Sequence, residues 1–346
     1  MDEKLRRVTF YSDGLKIAGI LFMPDGAESC PGIVLPQGTV GLKEHYRSPV
    51  ICSMLADAGF AALTFDYRGF GESEGLKDRP RNQIVPLEQV QDIRDALTFL
   101  AAQPGVDANR LALFGFCWGG SHSVYVGAIE SRVKCVAEVG GIGDGTRWLR
   151  SVRQYWEWRE FLKRIEADRI KRVMTGSSEM VRFGEILIGS PMAKEGRRRI
   201  VEEIAPASPP YHTPDATLQT AERIMEYRPE EVVARLSPRP LLIMHGDADD
   251  LTPLEEAESL YKRAGDPKRL VVLPGAYHHD VYLDPLFWDV MKIAVDWFRQ
   301  WLIPEEGKAS GSQERLPLIR KGGEKGFRIR RIKTKVQNNL RRRGNL

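Results

Sequence analysis

Short apolar runs alternate with longer amphipathic stretches along most of the chain. The amphipathic stretches have helical spacing, and several of the runs are almost continuous in apolar residues, as in strands of a parallel sheet covered on both faces. Near the start, two apolar stretches flank Asp13-Gly14, which predicts a β-hairpin over 8–23. The predicted strands are 32–35, 61–65, 111–114, 133–139, 241–244 and 270–273, and the predicted helices are 46–58, 87–101, 118–129, 254–263 and 287–301. This alternation predicts the α/β class with a doubly wound, mostly parallel sheet.

One long interval interrupts the alternation. Residues 141–238 contain no convincing strand pattern, whereas 148–172 is strongly helical and rich in aromatic residues and arginine. Structureless loops of this length are rare in compact domains, so we expect a helical lid or cap inserted over the carboxyl edge of the sheet. The predicted organisation is a core formed by 1–141 and 236–304, a helical lid at 142–235, and a basic, flexible tail at 305–346.

The charge distribution separates the tail from the rest of the chain. The net charge is +4, but 315–346 contains 12 basic residues and one acidic residue, whereas 1–314 contains 39 basic and 46 acidic residues. A basic tail could bind nucleic acid or an anionic membrane surface, or it could be a solvated extension. We favour the solvated extension and expect no nucleic-acid partner. In the lid, Arg147, Arg150 and Arg153 could receive an acidic substrate or acyl carrier, and the alternative we favour is a solvated helix face.

The composition points to a soluble, cytoplasmic globular protein. A hydrophobic fraction of 42% in 346 residues is enough for a substantial core. The charged first residues predict no secretory signal, and no apolar run is long enough to span a bilayer. Four cysteines without close pairing predict reduced thiols, and Cys30, Cys52 and Cys135 are expected to be core residues. No metal-binding motif is present, so we expect neither a metal nor another cofactor.

The strongest candidate for chemistry is Gly115-Phe116-Cys117-Trp118-Gly119-Gly120, between a predicted strand and a predicted helix. This is the pattern of a nucleophile elbow, with cysteine in the position that serine usually occupies. Side chains at 115 and 119 would collide with neighbouring backbone, which explains the two glycines. The helix amino end favours the thiolate of Cys117. The alternative is an inert buried cysteine in a glycine-rich turn.

Two later loops supply candidates for the acid and the base. Asp249 follows the strand at 241–244 and is the preferred acid, with Asp250 as the alternate, while His245 is expected to be structural. His278 follows the strand at 270–273 and is the preferred base, with His279 as the alternate. Along the chain the candidates come in the order nucleophile, acid, base. This is the order expected when a nucleophile elbow is part of a doubly wound α/β sheet and each residue follows its own strand.

The backbone N–H of Trp118 is the first candidate donor to an oxyanion. The loop 35–39 follows the first parallel strand, and the N–H of Thr39, or of Gly38 as the alternate, is the second candidate. In the loop 65–73, Asp66 and Arg68 are expected to hold neighbouring segments together rather than to act in catalysis.

Together these segments resemble the α/β-hydrolase superfamily across about 5–303, and 114–120 is similar to the cysteine elbow of the dienelactone hydrolase family. Carried over residue by residue, the resemblance implies Cys117 as nucleophile, Asp249 as acid and His278 as base. Two features depart from the family pattern. Compact dienelactone hydrolases lack a long helical insertion, and Gln37 stands where many esterases carry a histidine.

The implied reaction is hydrolysis of an ester, lactone or thioester through an S-acyl cysteine. Because a thioester also reacts with amines, alcohols and thiols, an acyltransferase or cyclase is the first alternative. A non-catalytic binding protein, or a serine-to-cysteine variant, is the second. The expected partner is a small-molecule acyl substrate, free or linked to a carrier or CoA. The sequence leaves the oligomeric state open, with a homodimer as one option.

Overall fold

A single large sheet organises the chain. The computed structural model describes residues 5–26, 28–204 and 215–303. Its strands are β1 (Leu5–Ser12), β2 (Leu15–Phe22), β3 (Cys30–Leu35), β4 (Ala61–Phe65), β5 (Val106–Phe116), β6 (Val133–Val139), β7 (Met180–Arg182), β8 (Asp215–Thr217), β9 (Leu241–Gly246) and β10 (Lys268–Leu273). Eight of them form one sheet in the order β1-β2-β4-β3-β5-β6-β9-β10. All neighbours from β4 to β10 in that order are parallel, whereas β1–β2 and β2–β4 are antiparallel, so the predicted mostly parallel sheet is confirmed.

The helices lie close to their predicted positions where they connect strands of the large sheet. The α-helices are α1 (Ser48–Asp57), α2 (Pro86–Ala101), α3 (Trp118–Ile129), α4 (Gly145–Ser151), α5 (Tyr155–Thr175), α6 (Phe183–Ile186), α7 (Pro191–Glu203), α8 (Gln219–Glu226), α9 (Pro229–Val232), α10 (Leu254–Arg263) and α11 (Leu286–Leu302). Short 3₁₀ helices occur at Val233–Leu236 and Asp280–Tyr282. The ends of α3 and α10 are those predicted from the sequence.

The apolar strands pack on both faces of the sheet. In β3, Ile33 and Val34 point to opposite faces and belong to two separate buried clusters. Val34 packs in the cluster that includes residues of α2 and α3, and Ile33 packs in the cluster that includes residues of α1 and α11. Helices therefore cover both faces, which is why the strands are apolar at almost every position.

Of two expectations for the inserted segment, the helical character of 148–172 is confirmed, and the expectation that the segment lacks strands is wrong. The stretch 148–172, predicted to be strongly helical, is divided between α4 and α5, and the backbone N–H of Gln154 donates to Glu157 at 2.8 Å at the start of α5. The segment also contains strand pairing, since β7 and β8 form an antiparallel pair of three residues each. Strands that short show no hydrophobic period in the sequence.

The inserted segment packs on the cluster that includes α2 and α3. Trp148, Trp158 and Phe161 belong to that cluster, and the indole N–H of Trp148 donates to the carbonyl of Leu251 at 2.9 Å. The division into core, lid and tail stays a prediction, and the basic tail at 305–346 lies outside the described residues. In the part of the chain that the structure describes, no helix combines the length and apolar character needed to cross a membrane.

Candidate active site

Cys117 lies at the sharp turn between β5 and α3. Its backbone has a positive φ of 52°, which is rare for a residue with a side chain, and its N–H donates to the carbonyl of Val139 at 2.8 Å. A Cβ atom on Gly115 would lie 2.1 Å from the carbonyl oxygen of Gly119, and one on Gly119 would lie 2.3 Å from the carbonyl oxygen of Pro36. The predicted reason for both glycines is confirmed.

A buried histidine–carboxylate pair lies beside this turn. His278 follows β10, Asp249 follows β9, and Nδ1 of His278 donates to Oδ2 of Asp249 at 2.7 Å. The other carboxylate oxygen, Oδ1, accepts the backbone N–H groups of Leu251 at 3.0 Å and Thr252 at 2.7 Å. These bonds hold the carboxylate in one orientation, and Nε2 is the ring nitrogen of His278 that Asp249 does not engage.

The thiol of Cys117 and the ring of His278 are hydrogen-bonded and electrostatically coupled. Burial raises the pKa of Cys117, but the charge of His278 and its hydrogen bond, together with bonds from Thr39 and the Trp118 backbone, outweigh burial and lower it. Burial lowers the pKa of His278, whereas Asp249 and Cys117 raise it well above its ordinary value. The arrangement therefore favours a thiolate–imidazolium pair.

The pKa values of the other three cysteines shift in the opposite direction. Burial raises the pKa of Cys30, Cys52 and Cys135. All four thiols are buried and free of disulfides. Proximity to His278, rather than burial, is what distinguishes Cys117.

The residues that carry the candidate oxyanion donors lie beside the same sulfur. The backbone N–H of Trp118 is hydrogen-bonded to Cys117, and Oγ1 of Thr39 lies 3.8 Å from its Sγ. A Cβ atom on Gly38 would lie 3.9 Å from the Cβ of Cys117, so the loop after β3 runs along the turn. The side-chain amide of Gln37 donates to the hydroxyl of Thr64 at 2.5 Å, and this bond links the loop after β3 to β4.

The alternate acid, Asp250, and the alternate base, His279, have different environments from Asp249 and His278. Asp250 is exposed, whereas Asp249 is buried. Burial and the charge of His278 lower the pKa of His279 well below its ordinary value, and its Nδ1 has no hydrogen-bond partner among the described residues. His245 donates from Nε2 to the carbonyl of Thr252 at 2.7 Å and so supports the loop that carries Asp249. The geometry favours His278 and Asp249, and their catalytic roles stay predictions.

Sequence reasoning missed Glu138, which lies near the end of β6 behind the nucleophile turn. Its side chain is fully buried, and Oε2 accepts the N–H of Gly141 at 2.7 Å. Its Oε1 makes no hydrogen bond to the described residues. Burial raises the pKa of Glu138 to about 8, and the charge of Cys117 contributes to the increase. The available signal was an acidic residue inside the apolar run 133–139.

The arginines of the insertion are mostly engaged within the protein. Arg147 donates to Glu256 and to Glu230, both at 2.7 Å. Arg153 lies over the ring of Phe161 at 3.8 Å, and burial lowers its pKa to about 10. The expected solvated helix face is therefore wrong for Arg147 and Arg153, whereas Arg150 is exposed. The described residues contain no group of three or more histidine, cysteine or acidic side chains arranged for a metal ion.

Comparisons with known proteins agree with this architecture. The solved structure of the α/β hydrolase GrgF from Penicillium sp. sh18 superposes with a TM-score of 0.71 at 22% identity, over 86% of this chain and 99% of that one. The chain has the α/β-hydrolase fold. The model of the dienelactone hydrolase family matches residues 17–147, so the resemblance predicted from the elbow is confirmed.

Two curated relatives of this chain carry names that describe reactions. The thiohydrolase aneE of Aspergillus aculeatus is 27% identical over 87% of this chain and 94% of its own length. The polyketide transferase claH of Penicillium crustosum is 26% identical over 84% of this chain and 95% of its own length. Both alignments extend well beyond the family-matched segment and include the loops that contain Asp249 and His278.

Proposed function

We propose that the protein is an acyl-transferring enzyme that hydrolyses an ester, lactone or thioester through Cys117. The observation that supports this most directly is the hydrogen-bonded series from Cys117 through His278 to Asp249. Each of the three follows a different strand, and each is almost fully buried. Such a series activates a thiol by holding the imidazole in one tautomer and orientation.

The proposed reaction starts from the thiolate of Cys117. The sulfur adds to the substrate carbonyl, and the carbonyl electrons move to oxygen to form a tetrahedral oxyanion. Collapse of this intermediate expels an alkoxide or thiolate, which takes the proton from Nε2 of His278 and leaves as the alcohol or thiol, and the enzyme is left as an S-acyl cysteine. His278 then removes a proton from water, the hydroxide adds to the acyl carbon, and the acid is released as the Cys117 thiolate forms again.

The N–H groups of Trp118 and Thr39 are the proposed donors to the oxyanion. Trp118 begins α3, so the helix dipole adds to the effect of its N–H. Removing one donor of such a pair usually costs a factor of about 10² to 10³ in kcat. Thr39 contributes a hydroxyl near the sulfur as well as its backbone.

A thioester is the substrate class that we favour, with the acyl group free or linked to a carrier or CoA. The relative named thiohydrolase supports this choice. Transfer to a second nucleophile is the alternative reaction, supported by the relative named polyketide transferase and by the burial of Cys117, which is only 9% exposed. A site that limits the access of water lengthens the lifetime of an acyl enzyme.

The proposal is tested by trapping the intermediate. The protein is incubated with p-nitrophenyl butyrate or with the butyryl thioester of N-acetylcysteamine, and the intact mass is measured after rapid acid quench. We expect one butyryl adduct on Cys117, no adduct and no turnover in Cys117→Ala, and an unchanged adduct in the matched control Cys52→Ala. Full turnover by Cys117→Ala would overturn the proposal. Addition of amine or alcohol acceptors then separates transfer from hydrolysis by product analysis.

We also propose that the inserted helices act as a lid, with α7 as the part that covers the base. A Cβ atom on Gly196 of α7 would lie 2.7 Å from the Cβ of His279, the neighbour of His278. Ile200 packs with residues that follow β10, and Arg199 approaches Asp280 at 3.9 Å. Helix α7 therefore rests on the loop that carries both histidines.

The lid is tested with two glycine substitutions in the insertion. Gly196→Ala forces α7 away from His279, because Cβ atoms do not approach closer than about 3 Å in packed proteins. Gly184→Ala is the matched control, since no atom lies within 4 Å of its added Cβ. We expect iodoacetamide to alkylate Cys117 several times faster in Gly196→Ala than in wild type or Gly184→Ala. Equal rates in all three proteins would contradict the lid.

A further inference from the structure

Helix α5 exposes large apolar side chains along one face, on the outside of the insertion. Four of its residues are buried, namely Trp158, Phe161, Ile165 and Asp168. The opposite side contains six large apolar side chains that are between 37% and 81% exposed: Tyr155, Trp156, Leu162, Ile170, Val173 and Met174. At 3.6 residues per turn all six fall within an arc of about 120°. Exposed large apolar side chains grouped on one face of a helix are typical of an interaction surface.

The charged residues within the same arc have a defined order. Arg159, Lys163 and Glu166 occupy the middle of the arc, whereas the apolar residues are concentrated at its two ends. The spacing from Trp156 through Arg159, Lys163, Glu166, Ile170 and Val173 alternates between three and four residues, which is the spacing of a helix–helix seam. This seam is about 26 Å long.

The seam is complementary to itself when two copies run antiparallel. A two-fold axis between Arg164 and Ile165 places Lys163 of one copy opposite Glu166 of the other, and the same pair forms again by symmetry. Trp156 then lies opposite Val173, and Ile170 lies opposite Arg159, whose methylene groups can cover it while the guanidinium stays in water. In a parallel arrangement Lys163 would face Lys163, which is repulsive. Self-complementarity under a two-fold axis is the requirement for an isologous dimer.

We propose that a second copy of this chain packs on the exposed face of α5 and forms an antiparallel, two-fold symmetric dimer through the insertion. The ion pair that Lys163 makes with Glu160 within its own helix is exposed, so it can exchange for Glu166 of the second copy without loss of a buried contact. The interface lies on the side of α5 away from its buried face, and it does not involve the proposed catalytic residues.

The test measures the association of the full chain by sedimentation equilibrium from low to high micromolar concentrations. We expect wild type to dimerise, and Lys163→Glu and Glu166→Lys each to raise the dimer Kd at least about tenfold, because each places like charges opposite one another twice. The double variant Lys163→Glu, Glu166→Lys restores the pairing and should return the Kd to within about threefold of wild type. Val173→Asp, which buries a charge against Trp156 of the second copy, should abolish the dimer.

Each outcome decides the proposal. A wild-type chain that stays monomeric at every concentration overturns it, including the case in which the monomer binds anionic phosphatidylserine vesicles through α5. If the protein dimerises but none of the variants weakens the dimer, the interface lies elsewhere and the proposal is also overturned. A dimer that Lys163→Glu and Glu166→Lys each weaken, but that the double variant does not restore, overturns the antiparallel register. Circular dichroism confirms that each exposed substitution leaves the fold intact.

Discussion

Replacing Glu138 by glutamine should remove a distinct part of the pH dependence of stability. In the folded protein burial raises the pKa of Glu138 from 4.5 to about 8. Between these values the folded state holds a proton that the unfolded chain releases, so the free energy of unfolding falls as the pH rises. One group of this kind contributes about 1.4 kcal/mol per pH unit, or on the order of 4 kcal/mol between pH 5 and pH 8.

Glutamine is the appropriate replacement because it has nearly the same shape and no charge. Its carbonyl can accept the N–H of Gly141 that Oε2 of Glu138 accepts at 2.7 Å in wild type. The stabilisation by the protonated acid is present at low pH and is lost as the pH rises through about 8. We therefore expect Glu138→Gln to lose less stability than wild type over that interval.

The assay is urea unfolding of both proteins under reducing conditions at several pH values between about 5 and 8. The difference between the two free energies of unfolding cancels the contributions of the titrating groups that do not interact with Glu138. Glu258→Gln is the matched control, because Glu258 is exposed. If the free energies of wild type and Glu138→Gln change in parallel with pH, Glu138 is ionised in the folded protein and the reasoning is refuted.

Three further outcomes follow from the site. Asp249→Asn should lower kcat by about 10⁴, whereas Asp250→Asn should leave it within a few fold; equal losses would contradict the pairing with His278. Iodoacetamide near neutral pH should label Cys117 before the other three thiols, as peptide mapping would show, and labelling of another cysteine first would contradict the lowered pKa. Gly119→Ala should destabilise the protein by about 3 kcal/mol or more in urea unfolding, while an unchanged midpoint would mean that the turn can accept a Cβ.

The fold could be predicted because each strand of the large sheet is marked by its own composition. Strands such as β4 and β6 are covered on both faces, so apolar residues are nearly continuous there and the run itself indicates the strand. The sequence pattern did not indicate the first half of β5, because that half is not covered on both faces and its residues are largely polar. Asp107, Asn109 and Arg110 lie beyond the helices that cover the centre of the strand, and they are partly or fully exposed.

The positions of the candidate site residues could be predicted because the fold brings strand ends together. Cys117, Asp249 and His278 follow β5, β9 and β10, and the carboxyl ends of parallel strands lie along one edge of a sheet. The choice between His278 and His279 depends on which ring faces the carboxylate, and a tandem pair in a loop gives no periodicity that decides this. The partners of Arg147 were equally hidden, because Glu230 and Glu256 are distant in sequence.

The charges around Cys117 explain why a neutral Glu138 suits the proposed mechanism. A thiolate at Cys117, an imidazolium at His278 and a carboxylate at Asp249 together carry one negative charge. Addition to a carbonyl moves that charge from sulfur to oxygen, toward the N–H groups at the start of α3, and leaves the total unchanged. An ionised Glu138 would add a second negative charge behind the sulfur, which would oppose the thiolate in the resting enzyme. Because burial keeps Glu138 protonated, no second negative charge lies beside the thiolate of Cys117.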